Sequence, residues 1–267
     1  MKEYKEISIS QVGKVGIITL DAPPDNGLSR LMITEIMDTL DRWEDDESIV
    51  TVLFRSALPF FSLGGDGDDL LDEMANANGI DSRTYTELGG ALTERVADYP
   101  KSTVVAATGE VRGGTTALFN ACDIRLVGEN LKIKDSDMFY GLLASWGMSS
   151  LRLPIWIGRN HIMDYMFLCE ELNGKQAVDL GIASKVFPDD ILEESALEIA
   201  TKMSKAAPIA VKYFKKCVNN AIYHPDFEKA RQLELEYSNL VYETEDAKLG
   251  VKNAIAGIFI SDDYKGK

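Results

Sequence analysis

The chain has 267 residues, of which 45% are hydrophobic, so it can bury a sizeable core and does not fit the disordered or fibrous classes. Its net charge of −15 opposes binding to nucleic acid and to anionic membranes, which are themselves polyanions. The first residues lack the apolar run of a signal peptide, and no later stretch is apolar over a membrane-spanning length. We therefore expect a cytoplasmic protein that binds neither nucleic acid nor membrane.

The first two thirds of the chain alternate strand and helix patterns, which favours a largely parallel sheet in an α/β fold. Apolar and polar residues alternate on both sides of Gly13, which predicts a β-hairpin at the start of the chain. Ser29 is the predicted cap of the first helix. The predicted strands cover residues 6–12, 15–20, 49–54, 103–108, 124–127 and 131–134, and the predicted helices cover residues 29–43, 70–75, 85–99 and 113–121.

Strand patterns end near Pro188, and the remaining chain is predicted to be helical. The four amphipathic helices predicted there cover residues 191–204, 209–222, 227–242 and 246–258. Four consecutive apolar helix faces exceed what the rim of one core can cover, so we expect them to pack against neighbouring subunits. The predicted division is a core domain over 1–190 and a helical oligomerisation region over 191–267.

Two glycine-rich segments each follow a predicted buried strand and lead into a predicted helix. They are Phe60-Phe-Ser-Leu-Gly-Gly-Asp66 and Gly109-Glu-Val-Arg-Gly-Gly-Thr115. Backbone N–H groups at such helix starts can stabilise negative charge on an oxygen, so the pair is a candidate oxyanion hole. Either segment by itself also fits an ordinary turn that requires positive φ.

Four segments, taken in order, carry a resemblance to a known family that runs over nearly the whole chain. They are Val15-Gly-Ile-Ile-Thr-Leu20, Phe61-Ser-Leu-Gly-Gly-Asp66, the block from Val104 through Arg112-Gly-Gly114 to Ala121-Cys-Asp-Ile124, and the stretch from Leu172 to Val186. On these segments the chain resembles the crotonase superfamily, also called the enoyl-CoA hydratase/isomerase family. The resemblance implies an enzyme with a core of ββα turns arranged in a spiral, assembled as a homotrimer or dimer of trimers through C-terminal helices.

The resemblance also places the two oxyanion donors, on the N–H groups of Gly65 and Gly114. Such donors stabilise the negative charge that forms on a thioester carbonyl oxygen when a neighbouring proton or carboxylate is removed. Leu63 and Asp66, which flank the first donor, are expected substrate-binding residues, and Asp66 is also a candidate helix cap. Asp66-Gly-Asp-Asp lacks the further oxygen ligands of a calcium loop, so we expect no metal.

The acid/base positions differ from those of the best-known members of the family. Hydratases with two glutamates carry one of them three residues after the second donor, where this chain has Ala117. The second glutamate aligns with Asp137, which is therefore the candidate base, whereas Asp135 is expected to be a solvated loop acid. Hydration with two carboxylates is thereby disfavoured, but a single base that moves one proton across an enolate suffices for double-bond migration.

The remaining candidate binding residues lie on the loops around the donors. By the resemblance, Tyr140, Ser145 and Trp146 align with the wall of the acyl pocket, although core packing is an alternative role for the two aromatic residues. Arg112 is a candidate for binding a carboxylate or phosphate, or is an ordinary surface arginine. The basic segment that helps hold CoA in the family is replaced at residues 253–258, so a CoA thioester, the phosphopantetheine thioester of an acyl carrier protein and a non-thioester ketone all stay open as the substrate.

Three functions remain open from the sequence. The leading hypothesis is an acyl-thioester isomerase or a hydratase-like lyase that needs no cofactor besides its thioester substrate. The second is a decarboxylase of a β-carboxy acyl thioester, because decarboxylation needs an oxyanion hole but no strong base. The third is a trimeric binding protein without catalytic activity, which the two retained glycine donors argue against.

Overall fold

The computed structural model describes residues 3–76, 84–223, 226–255 and 263–267. Within them the main sheet has the strand order β1-β2-β3-β4-β6-β8, with β1 and β2 antiparallel and the other pairs parallel. The predicted α/β class with a largely parallel sheet is confirmed. The strands are β1 Ile7–Val12, β2 Val15–Leu20, β3 Thr51–Ser56, β4 Ser102–Ala107, β5 Glu110–Arg112, β6 Ile124–Gly128, β7 Lys132–Lys134 and β8 Lys185–Phe187.

The helices connect the parallel strands and then form the C-terminal part of the chain. They are α1 Arg30–Glu44, α2 Gly67–Asn76, α3 Thr84–Ala97, α4 Gly114–Ala121, α5 Leu153–Ile157, α6 Arg159–Phe167, α7 Gly174–Asp179, α8 Leu192–Met203, α9 Pro208–Tyr223, α10 Phe227–Tyr242 and α11 Glu245–Ile255. The predicted cap of α1 is confirmed, since the Ser29 side chain accepts a hydrogen bond of 2.9 Å from the N–H of Met32.

Each face of the main sheet is covered by helices. Ile18 of β2 and Phe54 of β3 are fully buried on one face, in a core that includes Met32 of α1. Ile17, the neighbour of Ile18 on β2, points to the other face and packs in a second core with Ala196 of α8. Successive side chains of a strand point to opposite faces, which is why adjacent apolar residues of β2 supply both cores.

The apolar face of α8 is therefore buried within the chain. Leu192, Ala196 and Ala200 are at most 3% exposed and lie against β2, β3 and β4. This helix was expected to pack against a neighbouring subunit, but its apolar face packs on the sheet of its own chain instead. The division of the chain at residue 190 stays a prediction.

The segments between β4 and α8 contain elements that the sequence pattern did not predict. Strand β5 follows Gly109 directly and pairs with β7 as a separate parallel sheet of two strands. Helices α5 to α7 and strand β8 also lie in this part of the chain. Elements of three to nine residues are too short for a clear hydrophobic period, which explains why they were missed.

The C-terminal helices α9 and α10 pack against each other, and helices α9 to α11 leave apolar side chains in solvent. Phe214, Leu235 and Val251 are 58–70% exposed. Lys215 joins α9 to the core through an ion pair of 2.8 Å with Asp123. The predicted end of the last helix, at residues 256–258, lies outside the described residues. No helix in the described part of the chain has both the length and the apolar composition to cross a bilayer.

Candidate functional site

The first glycine-rich loop connects β3 to α2 and is held by hydrogen bonds of the buried Ser62 hydroxyl. Ser62 is completely buried, donates to the carbonyl oxygen of Asn26 at 2.7 Å and lies 2.8 Å from the hydroxyl of Thr115 on α4. The carbonyl oxygen of Gly64 accepts a hydrogen bond of 2.9 Å from the N–H of Leu28. These bonds leave the following residue, Gly65, exposed at the top of the loop.

Asn26 also organises the first loop, although the sequence analysis did not single it out. Its buried side-chain amide donates to the Ser56 hydroxyl at 2.8 Å and to the carbonyl oxygen of Phe61 at 3.1 Å. Its side-chain oxygen accepts from the N–H of Ala22 at 2.8 Å. Its φ of 52° lies in the left-handed region, which asparagine tolerates better than most residues. An asparagine in this predicted loop was therefore a signal that the sequence contained.

The second loop brings α4 against the first loop. Gly113 has φ of 43°, which favours glycine, and its N–H donates to the carbonyl oxygen of Lys134 at 3.2 Å. An ideal Cβ placed on Gly113 would lie 4.0 Å from the Cα of Gly64. An ideal Cβ on Gly64 would lie 3.3 Å from the carbonyl oxygen of Arg112, so glycine at position 64 lets the two loops approach closely, and Gly65 and Gly114 are the next residue of each loop.

The N–H groups of Gly65 and Gly114 are the predicted oxyanion donors. Among the described residues, neither N–H donates a hydrogen bond to another protein group. Gly114 is the first residue of α4, where helix geometry leaves backbone N–H groups without intrahelical acceptors and the helix dipole favours negative charge. Two unpaired donors on touching loops can hold a carbonyl oxygen that gains negative charge.

Two aromatic side chains lie directly against the donor glycines. An ideal Cβ on Gly65 would lie 2.8 Å from the hydroxyl oxygen of Tyr85, and one on Gly114 would lie 2.8 Å from Cζ3 of Trp146. Tyr85 donates to the carbonyl oxygen of Leu28 at 2.6 Å and accepts from the N–H of Asp66 at 2.8 Å. Tyr85 was predicted merely as the start of a helix, because nothing in its local sequence shows that it reaches the first loop.

Asp137 lies beside the second donor, as its alignment with the family base implied. Its carboxylate oxygen Oδ1 would be 3.3 Å from a Cβ on Gly113. Burial, and then the negative charge of Asp135, raise the pKa of the Asp137 carboxyl to about 6. A carboxylate with a pKa near the working pH can both accept and return a proton.

The expectation that Asp135 is a solvated loop acid is wrong. Asp135 is 1% exposed, and its carboxylate accepts hydrogen bonds from the Ser149 hydroxyl at 2.7 Å and from the Asp137 N–H at 3.3 Å. Burial raises the pKa of its carboxyl, although these hydrogen bonds act in the opposite direction. Ser149 lies fourteen residues further along the chain, so the local pattern could not show this partner.

Asp66 and Arg112 bond to groups of the protein itself. The Asp66 carboxylate accepts from the N–H of Asp69 at 2.9 Å and so caps α2, which was one of its two predicted roles. Arg112 forms ion pairs with Glu110 and, at 2.7 Å, with Glu171. The hydrogen bond from Arg112 lowers the pKa of Glu171. The guanidinium of Arg112 is thus already neutralised by carboxylates of the chain.

The other predicted binding residues lie at different depths around the donors. Ala117 is 5% exposed on α4, one turn after Gly114. Leu63 is 47% exposed and Tyr140 is 76% exposed, and Ser145 is exposed as well. Trp146 is partly buried and contacts Gly114, so it is the predicted pocket residue that lies against a donor. Within the described ranges, no group of three His, Cys, Asp or Glu side chains is placed to hold a metal ion.

Comparisons with known proteins agree with this architecture. A family model described as enoyl-CoA hydratase/isomerase matches residues 11–255. A probable enoyl-CoA hydratase of Bacillus subtilis is 28% identical over 248 residues, which cover 92% of this chain and 94% of that protein. A short-chain-enoyl-CoA hydratase of Clostridium acetobutylicum is 26% identical, with coverage of 92% and 93%.

Solved structures give the same result for the fold. The crystal structure of an enoyl-CoA hydratase from Bacillus anthracis matches with a TM-score of 0.89 and 25% identity, over 98% of this chain and 100% of that one. Because the family model spans nearly the whole length, the chain belongs to the enoyl-CoA hydratase/isomerase family, the crotonase superfamily.

Proposed function

We propose that the chain binds an acyl thioester with its carbonyl oxygen on the N–H groups of Gly65 and Gly114, and that Asp137 moves a proton on the enolate formed there. The observation that carries this proposal is the meeting of two unpaired backbone donors with one carboxylate of raised pKa. The donors supply charge stabilisation that grows as the enolate forms, and the carboxylate supplies acid/base chemistry.

The reaction that fits this arrangement best is double-bond migration or hydration of an enoyl thioester. In migration, Asp137 removes a proton from the γ carbon, and the electrons move to the carbonyl oxygen; the proton then returns at the α carbon. In hydration, Asp137 takes a proton from water as the water oxygen attacks the β carbon, and Asp137 then returns a proton to the α carbon. Both routes pass through an oxyanion at the same two donors.

The names of the relatives support an enoyl-CoA as the substrate, since the two relatives described above are named as enoyl-CoA hydratases. Ala117 supports a mechanism with one base, because a methyl group stands where a second acid could face the substrate. The replaced basic segment at residues 253–258 makes a carrier-protein thioester the alternative form of the substrate.

Decarboxylation of a β-carboxy acyl thioester is the second candidate. Ala117, one turn after Gly114 on α4, is compatible with it because this reaction needs the donors but no second acid. Loss of carbon dioxide generates the enolate directly, so that the donors are required and Asp137 merely influences the rate.

The experiment is a panel of enoyl and β-carboxy acyl thioesters, each offered as the CoA and as the carrier-protein form, in deuterated water. Mass spectrometry of products identifies water addition, deuterium at the α or γ carbon, or loss of carbon dioxide. Enoyl turnover with deuterium incorporation supports the first candidate. Binding without turnover of any thioester would instead favour a protein that only binds.

A further inference from the structure

The indole of Trp146 occupies a slot between two helices. An ideal Cβ on Gly114 of α4 would lie 2.8 Å from the ring, and one on Gly89 of α3 would overlap it. Helices α3 and α4 pack against each other at this point. Any side chain larger than hydrogen at either position would displace the ring, so the two glycines shape the slot to the indole.

Trp146 is also held from a third side. The ring of Tyr85 meets it edge to face, with 5.6 Å between centroids and an interplanar angle of 84°. Tyr85 is fully anchored by its hydrogen bonds to Leu28 and Asp66. The indole therefore cannot move toward the first loop without breaking this anchor, and it stays next to Gly114.

A cavity of about 370 Å³ lies near Trp146 in the chain. Its lining includes Gly147, the next residue in the chain, and Thr93, which is one helical turn beyond Gly89 and donates to its carbonyl oxygen at 3.0 Å. Further along, the cavity is lined by charged and amide side chains, including Asp98, Arg152 and Asn219. Leu151 and Tyr223 also line the cavity, so it offers apolar contacts as well as polar ones.

We infer that Trp146 closes the inner end of the acyl site and restricts the substrate to a short acyl group. The inference rests on the proposed function, because it takes the carbonyl oxygen to lie on Gly65 and Gly114. From that point a chain that extends along α4 meets the indole within a few carbons. A longer chain would have to displace the ring, which packs against Gly89, Gly114 and Tyr85.

The test compares Trp146→Ala and Trp146→Phe with Trp156→Ala. Trp156 of α5 is another partly buried tryptophan, and its ring lies 5.1 Å from the guanidinium of Arg125. Its removal therefore controls for the general loss of an indole. Turnover of crotonyl-CoA, octenoyl-CoA and dodecenoyl-CoA is measured, together with calorimetric binding of the saturated analogues. Binding provides a readout that does not depend on the reaction type.

We expect the wild type to prefer crotonyl-CoA over the longer substrates by about tenfold or more, on the scale of a few buried methylene groups. Trp146→Ala should shift this preference toward octenoyl-CoA by about tenfold, Trp146→Phe should shift it less, and Trp156→Ala should leave it unchanged. A variant that is merely destabilised should lose activity on all three substrates in parallel, so the ratio of its activities on short and long chains should stay unchanged.

Three results would overturn the inference. Equal use of short and long chains by the wild type, or an unchanged preference in a folded Trp146→Ala or Trp146→Phe, would remove Trp146 as the end of the pocket and leave the proposed function standing. Failure of every thioester to bind would overturn both. A binding preference for short chains without turnover would support the inference and contradict the proposed reaction.

Discussion

The N–H of Asp137 donates a hydrogen bond of 3.3 Å to the carboxylate of Asp135, so the candidate base stands next to a second, buried acid. Burial and this neighbouring charge together raise the pKa of Asp137 to about 6. If Asp137 acts as a base, its charged form is required, and kcat/KM should increase with pH and level off above about 6. We expect this profile with an enoyl thioester as substrate.

Asp135→Asn removes the neighbouring charge but keeps the shape of the side chain. The pKa of Asp137 should decrease, since the like charge that opposes its ionisation is gone, and the rising limb of the pH profile should move to lower pH. Burial remains, so the pKa should stay above the ordinary value of 3.8. Glu198→Gln on α8 removes an exposed carboxylate and serves as the control. If neither variant shifts the pH dependence of kcat/KM, the result would contradict the electrostatic coupling of Asp135 and Asp137.

Asp137→Asn separates the two candidate reactions. Migration or hydration should slow by roughly 100-fold to 10,000-fold, because the amide cannot accept the proton, and deuterium incorporation should decrease in parallel. A decarboxylase should keep most of its rate, because cleavage of the carbon–carbon bond generates the enolate. The measurement is product formation by wild type and variant on the same thioester. Undiminished double-bond migration would show that Asp137 is not the base.

Gly114→Pro tests the second donor. Proline fits the first position of a helix but lacks the N–H, so turnover should decrease by roughly 100-fold or more while α4 remains formed. Gly114→Ala is the matched control, since both substitutions add a Cβ that meets Trp146 and alanine keeps the N–H. Circular dichroism checks that both variants fold. Equal activity of the two variants would exclude this N–H from the mechanism.

Leu192→Ala tests the packing of α8 on the sheet. Leu192 is 3% exposed in the second core, so the substitution should lower the free energy of unfolding by about 2–5 kcal/mol. Leu71→Ala on α2, where the side chain is 65% exposed, should change it by less than about 0.5 kcal/mol. Urea unfolding of the two variants gives both values. A loss of similar size at both positions would mean that α8 does not cover the sheet in solution.

The exposed apolar side chains of α9 to α11 are expected to be covered in a trimer or hexamer. Phe214→Glu places a charge on a side chain that is 70% exposed here, and it should dissociate the assembly if a neighbouring subunit covers that face. Leu71→Glu on α2 is the control and should leave the sedimentation coefficient unchanged. A wild-type monomer at micromolar concentration would contradict the expectation.

Features that depend on neighbouring residues could be predicted from the sequence. The period of apolar residues identified β2, α1 and α4 because periodicity is a local property of helices and strands. Ser29 identified a helix start because a cap bonds to a residue three positions later. The paired glycines indicated loops of unusual backbone geometry, since Gly64 and Gly113 both have positive φ.

Features that depend on distant residues were decided by tertiary structure. The sequence predicted Asp135 to be solvated, whereas the fold buries it against Ser149. The sequence left Arg112 as a candidate for binding an anion, but the fold pairs its guanidinium with the carboxylate of Glu171. Trp146 has no special neighbour in the sequence, yet the packing of α3 on α4 places it beside Gly89 and Gly114. Burial, ion pairing and shape arise when separate segments meet, and no local pattern encodes which segments those are.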